Sequence, residues 1–293
     1  LPTYNEAKNL PILLPKIKKV LKDVPHEIII VDDDSPDETW RIAIDLTKND
    51  ESVHVIRRIG RRGLSSAIME GFLAGKGDVL GVMDADGQHD IALLPKLYTA
   101  AKNDADITIG SRYITGGSVG EWDERRHMMS RIATRLAKSL CRVKTEDPMS
   151  GFFAMKRELF ETVLPSLNPK GFKMLLDILV HTPRTTIAKE IPFTFGIRTE
   201  GESKLSRRVQ IEFIEYLYDV LLGKYIPLVF VKYCLVGFLG VFVHTGAYYL
   251  FSWFIRNGAT ELTTERFSIS IIFAVETAIL FNFILNNEWT FAR

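Results

Sequence analysis

The last quarter of the sequence contains two long apolar segments, and they limit the folds that the chain can adopt. Residues 228–255 include Lys232 and no acidic side chain, and about 20 apolar residues are enough for a helix to cross a bilayer. Residues 267–285 are also of spanning length, although they include Glu276 and Asn282, which are uncommon in membrane helices. The sequence therefore predicts a hairpin of two transmembrane helices.

Residues before about position 224 mix charged and apolar side chains as a soluble domain does. Short apolar segments alternate there with helical periodicity, which is typical of an α/β sheet. The predicted strands are 28–31, 53–56, 78–83, 105–109, 151–155 and 187–195, and the predicted helices are 10–21, 38–48, 65–74, 91–103 and 125–140. Residues 207–222 are amphipathic, so we expect a helix along the membrane surface. The predicted domains are a soluble α/β domain at 1–205, an interfacial helix at 206–224 and a membrane domain at 225–293.

The overall charge and the cysteines exclude several classes of function. With a formal net charge of +1, the chain lacks the strongly basic surface with which proteins neutralise nucleic-acid phosphates, so we expect no nucleic-acid partner. The two cysteines, Cys141 and Cys234, lie far apart in the sequence and indicate neither a disulfide framework nor a zinc site. A reducing compartment is consistent with this composition.

Two acidic segments, Asp32–Asp37 and Asp84–Gln88, each follow a predicted strand. Because ligands bind at the carboxyl ends of strands in such sheets, we expect both loops to open at the same edge. Their hard oxygen atoms suit a divalent cation that bridges phosphate groups. The alternatives are a solvated Asp-Gly turn at Asp84–Gln88 and, for Pro36 and Asp37, the start of a helix at Glu38.

Four motifs in this order resemble those of family 2 glycosyltransferases of GT-A (Rossmann-like) fold: Pro2–Glu6, Val31–Ser35, Gly63 and Asp84–Gln88. The resemblance narrows to dolichyl-phosphate mannose synthases through residues 110–113, 125–126 with Ser130, 147–152, 171–173 and 201–205. Residues 230–237 and 282–291 resemble a GtrA-like membrane domain, which usually has four helices. Since two are predicted here, we expect the natural chain to extend beyond the residues given.

This resemblance implies a nucleotide-sugar site built from both acidic loops. Its implied members are Pro2, Tyr4, Glu6, Val31, Asp33, Asp84, Ala85, Asp86, Gln88, Arg198 and Lys204. Asp84, Asp86 and Gln88 are the implied ligands of a metal cofactor, Mg²⁺ or Mn²⁺. Arg198 and Lys204 would close over the donor phosphates, and a flexible polar linker is the alternative for these two.

A lipid-phosphate site is implied by Arg112, Arg126 and Ser130, which offer two guanidinium groups and a hydroxyl to an anion. The implied catalytic residues are Asp84, Asp86, Arg112 and Arg126. The alternative for residues 125–138 is a solvated basic helix face. For Lys173, we expect only an alkyl chain extended along apolar neighbours.

The resemblance implies inverting transfer of mannose from GDP-mannose to dolichyl or another polyprenyl phosphate. A phosphate monoester has a second pKa of about 6, so it is a nucleophile at neutral pH without a strong general base. One alternative is transfer of glucose from UDP-glucose to undecaprenyl phosphate, since these folds accept many donors. An alternative of another class is a membrane lipid transporter or scaffold.

Basic residues predict the orientation in the membrane. Arg207, Arg208, Lys224 and Lys232 precede or begin the first span, whereas residues 256–266 balance arginines against glutamates. Because segments rich in lysine and arginine stay on the cytoplasmic side, we expect an integral membrane protein whose soluble domain is cytoplasmic and contacts membrane lipids.

Overall fold

The computed structural model describes residues 1–48, 50–119, 124–169, 173–196, 207–257 and 264–291. Within these ranges, the description of residues 124–129, 207–210, 256–257 and 264–268 is limited to the backbone. The chain divides into two compact units, Leu1–Gln210 and Ile211–Arg293.

The first unit contains two β-sheets. The strands are β1 (Pro2–Thr3), β2 (Ile28–Asp32), β3 (Val53–Arg57), β4 (Val79–Val82), β5 (Ile107–Ser111), β6 (Phe153–Lys156) and β7 (Ala188–Pro192). One sheet has the order β1-β2-β3 and is parallel. The other has the order β4-β6-β5-β7, in which β6 runs antiparallel to both neighbours while β5 and β7 are parallel.

Helices provide the crossover connections that parallel strands require. The helices are α1 (Leu10–Val20), α2 (Thr39–Thr47), α3 (Leu64–Ala74), α4 (Leu94–Asn103), α5 (Glu124–Leu140), α6 (Arg157–Val163), α7 (Met174–His181), α8 (Arg207–Leu222), α9 (Leu228–Asn257) and α10 (Thr264–Leu285). Short 3-10 turns lie at Ile91–Leu93 and Leu164–Ser166, and a π-helical turn lies at Asn286–Thr290. Prolines stand in the first turns of α1 and α4, where the missing N–H is not needed.

The alternation of side chains along the strands builds two apolar cores. From β2, Ile28 and Ile30 join a core with α1 and α4, which also receives side chains from the β4 and β6 segments. In the other core, Phe72 of α3 packs edge to face on Phe153 and Phe160, with ring centroids 6.4 and 5.2 Å away. Since one core draws on both sheets, the loops that follow β2 and β4 are held by a shared packing unit.

The α/β architecture predicted for the soluble part is confirmed, with differences of detail. β1, α6 and α7 are additional to the predicted elements. β1 is too short to show a pattern, and residues 174–180 of α7 are all buried, so this helix lacks the polar face that helical periodicity requires. The last predicted strand, 187–195, ends at Pro192, because its partner β5 ends at Ser111, which pairs with Pro192.

In the second unit, α9 and α10 pack against each other as a hairpin. The segments Leu228–Ile255 and Ile269–Thr290 are long and apolar enough to cross a membrane. Gly240 of α9 lies so close to the Asn282 amide that a Cβ atom there would overlap it, and small residues allow such close approach in membrane helices. Large apolar side chains such as Phe238 are exposed on the hairpin. The predicted pair of membrane helices is therefore confirmed.

Lys232 connects three elements of the second unit. Its Nζ lies 2.6 Å from Glu215 Oε1 of α8 and 5.5 Å from the ring centroid of Trp289 in the π-helical turn. A lysine within an apolar helix is tolerated when its charge is paired. The pairing therefore explains why the first span accommodates this residue and fixes α8 to the start of α9.

Candidate active site

Each acidic loop follows a strand, as the sequence predicts, although β2 and β4 belong to different sheets rather than to one. β2 ends at Asp32 and β4 ends at Val82, and each acidic loop follows directly. β1 pairs in parallel with β2, so Tyr4 and Glu6, which follow β1, emerge at the same sheet edge as Asp33. The carboxyl edge of a parallel sheet is where ligands bind, and this edge carries the first half of the candidate site.

In the first loop, one carboxylate supports the fold and the next holds a neighbouring loop. Asp32 is fully buried and accepts a hydrogen bond from the Thr3 hydroxyl at 2.9 Å. Asp33 accepts hydrogen bonds from Arg58 Nη1 at 2.5 Å and from the Gly63 amide at 2.8 Å. Asp33 thereby fixes the loop that precedes α3, and any contact with a base or ribose is additional to these two bonds.

Tyr4 and Glu6 are side chains of this edge that stay accessible to a ligand. The Arg62 guanidinium lies 4.8 Å from the centroid of the Tyr4 ring, so an aromatic face and a cation occur together there. Glu6 accepts a hydrogen bond from the Asn9 side-chain amide at 2.7 Å. An aromatic ring and a carboxylate at one loop suit the stacking and hydrogen bonding of a nucleoside.

Val31, Ala85 and Pro2, which are also predicted to surround the nucleotide, offer mainly backbone atoms to a ligand. Val31 and Ala85 are each 2% exposed, because their side chains belong to the cores. Pro2 is paired with Val31 in the first sheet. Their predicted role near the nucleotide is thus confined to main-chain atoms and to shaping the loops.

The second acidic loop turns sharply after Asp86. Gly87 has a φ of +76°, a conformation that glycine adopts without strain, and Asp86 Oδ1 accepts a hydrogen bond from the Gln88 amide at 3.1 Å. Gln88 Nε2 donates to the Gly196 carbonyl at 3.0 Å, and the Gly196 amide donates back to the Gln88 carbonyl at 2.8 Å. Oε1 of Gln88 is not used in this pairing, and Asp86, which is 8% exposed, is held in the turn by its bond to the Gln88 amide.

Asp84 is held between a histidine and a glycine. His89 is buried among Phe152, Phe193 and Phe195, and its Nε2 lies 3.4 Å from Asp84 Oδ2. A Cβ atom at Gly151 would lie only 2.7 Å from the same Oδ2. Gly151 therefore leaves the space that the Asp84 carboxylate occupies.

These residues fit a divalent cation bound together with phosphate. Among the described residues, no group of three or more His, Cys, Asp and Glu side chains could hold a metal without further ligands. Asp84, Asp86 and Gln88 instead supply a few hard oxygen atoms, and Mg²⁺ is commonly bound by one or two carboxylates plus substrate phosphates. Glycine at position 151 leaves space beside the Asp84 carboxylate.

Arg112 and Asp147 form a buried ion pair at the end of β5. Arg112 Nε and Nη2 donate to the two Asp147 oxygens at 2.7 and 2.8 Å, and the Arg112 amide donates at 3.1 Å. Burial opposes the charge of Arg112, but the hydrogen bonds and charge of Asp147 outweigh burial and raise the Arg112 pKa. Glu190 in turn accepts hydrogen bonds from the Glu146 and Asp147 amides at 2.8 and 3.1 Å. The two hydrogen bonds to Asp147 engage the Nε–Nη2 edge of Arg112 and fix the direction of its guanidinium.

Lys173 adds a second cation to this region. Burial is the largest influence on the Lys173 ammonium, the Arg112 charge acts in the same direction, and the Asp84 and Asp147 carboxylates oppose both, so that the Lys173 pKa is lowered from 10.5 to about 8. Lys173 is therefore close enough to Arg112 and Asp84 to share their electrostatic field. Lys173 thus shares its electrostatic surroundings with Asp84 and the Arg112 pair, which the expectation of an alkyl chain along apolar neighbours did not include.

The remaining predicted residues are described in part. Ser130 of α5 lies in the described structure, with its Oγ 2.8 Å from the Tyr113 hydroxyl. Arg126 lies on α5, but its side chain is outside the described residues, and Arg198 and Lys204 are outside them entirely. Their predicted roles stay predictions.

Three side chains of the site are absent from the residues assigned by sequence. His89 directly follows Gln88, Asp147 begins a motif that the resemblance includes, and Lys173 ends another. Motif membership was the available signal for Asp147 and Lys173, and the position next to Gln88 was the signal for His89. Their roles depend on contacts with Asp84 and Arg112, which local sequence does not reveal.

Comparison with known proteins identifies the family. Residues 1–164 match glycosyl transferase family 2, and residues 232–293 match the GtrA/DPMS transmembrane domain. The chain belongs to glycosyltransferase family 2. Glycosyl transfer is thus the activity class of this membrane protein, and the predicted GT-A fold and membrane domain are confirmed.

Curated relatives of this family 2 glycosyltransferase cover most of the chain. It is 42% identical to the dolichol-phosphate mannosyltransferase of Pyrococcus furiosus over 99% of this chain and 80% of the relative. It is 36% identical to the Saccharomyces cerevisiae protein of the same name over 76% of this chain and 86% of the relative. The polyprenol monophosphomannose synthase of Mycolicibacterium smegmatis is 37% identical over 70% of this chain and 79% of the relative.

Solved structures share the fold at lower identity. Glucosyl-3-phosphoglycerate synthase from Mycobacterium tuberculosis, in complex with Mn²⁺, UDP-glucose and phosphoglyceric acid, aligns with a TM-score of 0.54 and 20% identity over 75% of this chain and 77% of that chain. The same enzyme with Mg²⁺ and UDP aligns with a TM-score of 0.54. These neighbours are GT-A glycosyltransferases that hold a divalent metal with a nucleotide, and they share the chain's fold.

Proposed function

We propose that this glycosyltransferase transfers mannose from GDP-mannose to dolichyl or another polyprenyl phosphate with inversion at the anomeric carbon. The observation that carries the proposal is that Asp84 of the second acidic loop acts on the charges of both Arg112, which Asp147 holds in place, and Lys173. A nucleoside diphosphate bound by the acidic side would thus lie next to an anion held by the cationic side. The names of the curated relatives support the sugar and the lipid.

In the proposed mechanism, the lipid phosphate attacks the anomeric carbon directly. The phosphate is ionised near neutral pH, so Arg112, Lys173 and Ser130 are required to bind and orient it rather than to remove a proton. Asp84, Asp86 and Gln88 would hold Mg²⁺ or Mn²⁺, which when bound offsets the negative charge of the diphosphate. Tyr4 and Glu6 would position the nucleoside.

The ion pair between Arg112 and Asp147 serves this mechanism by preorganisation. A cation already aimed at the site stabilises charge without reorganising during the reaction. Arg126, Arg198 and Lys204 are proposed to supply further positive charge, the first to the lipid phosphate and the other two to the departing diphosphate.

We further propose that the soluble unit faces the cytoplasm. Lys224 and Lys232 lie at the start of the first span, and Arg207 and Arg208 lie shortly before it, which agrees with the retention of basic segments on that side. Protease protection of sealed vesicles tests this orientation. Cleavage of the soluble unit in inside-out vesicles and protection in right-side-out vesicles is the expected result.

The activity is tested with detergent-solubilised full-length protein and radiolabelled GDP-mannose, UDP-glucose and UDP-N-acetylglucosamine. Label should enter dolichyl phosphate from GDP-mannose in the presence of Mg²⁺ or Mn²⁺, and chelation or Asp86→Ala should abolish the transfer. Entry from UDP-glucose instead would replace the proposed donor. No transfer from any donor by folded protein would favour a transporter or scaffold, in which the membrane helices carry the function.

A further inference from the structure

We infer that Tyr113 is a positioning residue for the acceptor phosphate, because it joins Arg112 and Ser130 into one anion-binding unit. This inference rests on the proposed function, since it concerns how the same site receives its lipid substrate. Tyr113 follows the end of β5, and Ser130 lies in α5. The Tyr113 side chain spans the gap between these two elements.

Both ends of the Tyr113 side chain have a partner. The Arg112 guanidinium lies 5.4 Å from the centroid of its ring, within the range of a cation–π contact. Its hydroxyl lies 2.8 Å from Ser130 Oγ, the usual distance for a hydrogen bond between hydroxyls. Asp147 accepts hydrogen bonds from the Nε and Nη2 atoms of the guanidinium at 2.7 and 2.8 Å, and the Phe195 ring centroid lies 5.5 Å from it. Arg112 is thus held by an ion pair and two rings, and the Tyr113 ring also carries the partner of Ser130.

A hydrogen bond between two hydroxyls contains one proton, and its direction decides what Ser130 can offer. A phenol is a stronger acid than an aliphatic alcohol, so Tyr113 is the favoured donor and Ser130 Oγ the acceptor. The Ser130 proton then remains for an anion. In the reverse direction, Ser130 would present only lone pairs to a phosphate, which would repel it. Tyr113 therefore makes Ser130 a hydrogen-bond donor toward the lipid phosphate.

Loss of the Tyr113 hydroxyl should act through Ser130 alone. A helical serine without another partner can turn to a backbone carbonyl of the preceding turn, which would withdraw its proton from the phosphate. Tyr113→Phe keeps the ring beside Arg112 and removes only the hydroxyl. The expected consequence is weaker acceptor binding with unchanged donor binding.

The experiment is a double-mutant cycle in the full-length protein with Tyr113→Phe, Ser130→Ala and both together. Each single variant should raise the KM for polyprenyl phosphate about five- to tenfold, the effect of one hydrogen bond, and the double variant should match Ser130→Ala. The KM for GDP-mannose should stay within about twofold of the wild type, as should kcat. Tyr98→Phe is the control, because it also removes a hydroxyl group that has a hydrogen-bond partner, Lys102 at 3.2 Å. Both residues of this pair lie on α4 and not on α5.

Independent effects of the two changes, with KM increases that multiply in the double variant, would overturn the inference. So would an equal rise in the KM for both substrates, which indicates a general disturbance of the fold. The same four proteins are also compared by calorimetry, which measures the affinity for a short-chain polyprenyl phosphate in the absence of donor. This second cycle does not depend on turnover. If the wild type failed to transfer mannose but its binding cycle showed this coupling, the proposed function would fail and the inference would stand.

Discussion

Gly151→Ala is expected to impair catalysis through Asp84, although the two residues are distant in sequence. The new Cβ would lie 2.7 Å from Asp84 Oδ2, about 0.7 Å short of an ordinary contact of 3.4 Å. The φ of Gly151 is not in the left-handed region, so alanine is compatible with the backbone and the carboxylate has to move instead. The Asp84 side chain is 38% exposed, so it can yield without unfolding the site.

The size of the effect follows from this displacement. A misplacement of about 1 Å in a catalytic group typically costs about 100-fold in rate, so a shift of about 0.7 Å should lower kcat by about 10- to 100-fold. Stability should change by less than about 1 kcal/mol, since the group that moves is partly solvated.

The assay is mannose transfer from radiolabelled GDP-mannose to dolichyl phosphate, with metal titrated in each variant and thermal unfolding measured in parallel. Gly81→Ala is the matched control, because its Cβ would lie no closer than 3.9 Å to any of its neighbours. We expect near wild-type activity for Gly81→Ala and a weaker apparent metal affinity for Gly151→Ala. Equal activity of the two variants would refute the assignment of Asp84 to the metal and diphosphate.

Four further predictions concern the cations and the membrane hairpin. Asp147→Ala leaves Arg112 buried without its partner, so the free energy of unfolding should fall by about 3–5 kcal/mol in chemical denaturation; a change below about 1 kcal/mol would contradict the pairing. Because the Lys173 pKa is lowered to about 8, its charge is present below pH 8 and lost above it. The KM for polyprenyl phosphate should therefore rise as the pH passes 8, and Lys173→Arg should remove this pH dependence. A KM that does not change with pH in the wild type would show that Lys173 does not bind the phosphate. Between pH 8 and 10.5 the folded protein binds fewer protons at Lys173 than the unfolded chain, so this residue's contribution to stability should increase with pH. Gly240→Ala should destabilise the hairpin by about 1–3 kcal/mol in detergent unfolding, whereas Gly237→Ala, with no neighbour within 4 Å of its Cβ, should be neutral.

The parts of the molecule that follow from local pattern are those that the sequence predicts well. The apolar segments locate α9 and α10, and the acidic residues at the ends of β2 and β4 indicate a ligand-binding edge by their position alone. Contacts between distant segments have no such pattern. Nothing near Asp84 in the sequence indicates that Gly151 makes its space, and Asp147 becomes the partner of Arg112 only because β6 inserts between β4 and β5. Asp147 lies in a family motif, but its role can be inferred only when the order of the strands is known.

The Lys232 contacts have a mechanical consequence for an enzyme that works at a lipid surface. Glu215 ties α8 to the first turns of α9, and Trp289 ties the end of the hairpin to the same lysine. A helix longer than the local hydrocarbon thickness tilts, so a thinner bilayer that tilts α9 also carries Glu215 and its helix with it. Bilayer thickness, and not only lipid headgroup chemistry, thereby becomes a variable that the segment leading to the glycosyltransferase domain senses.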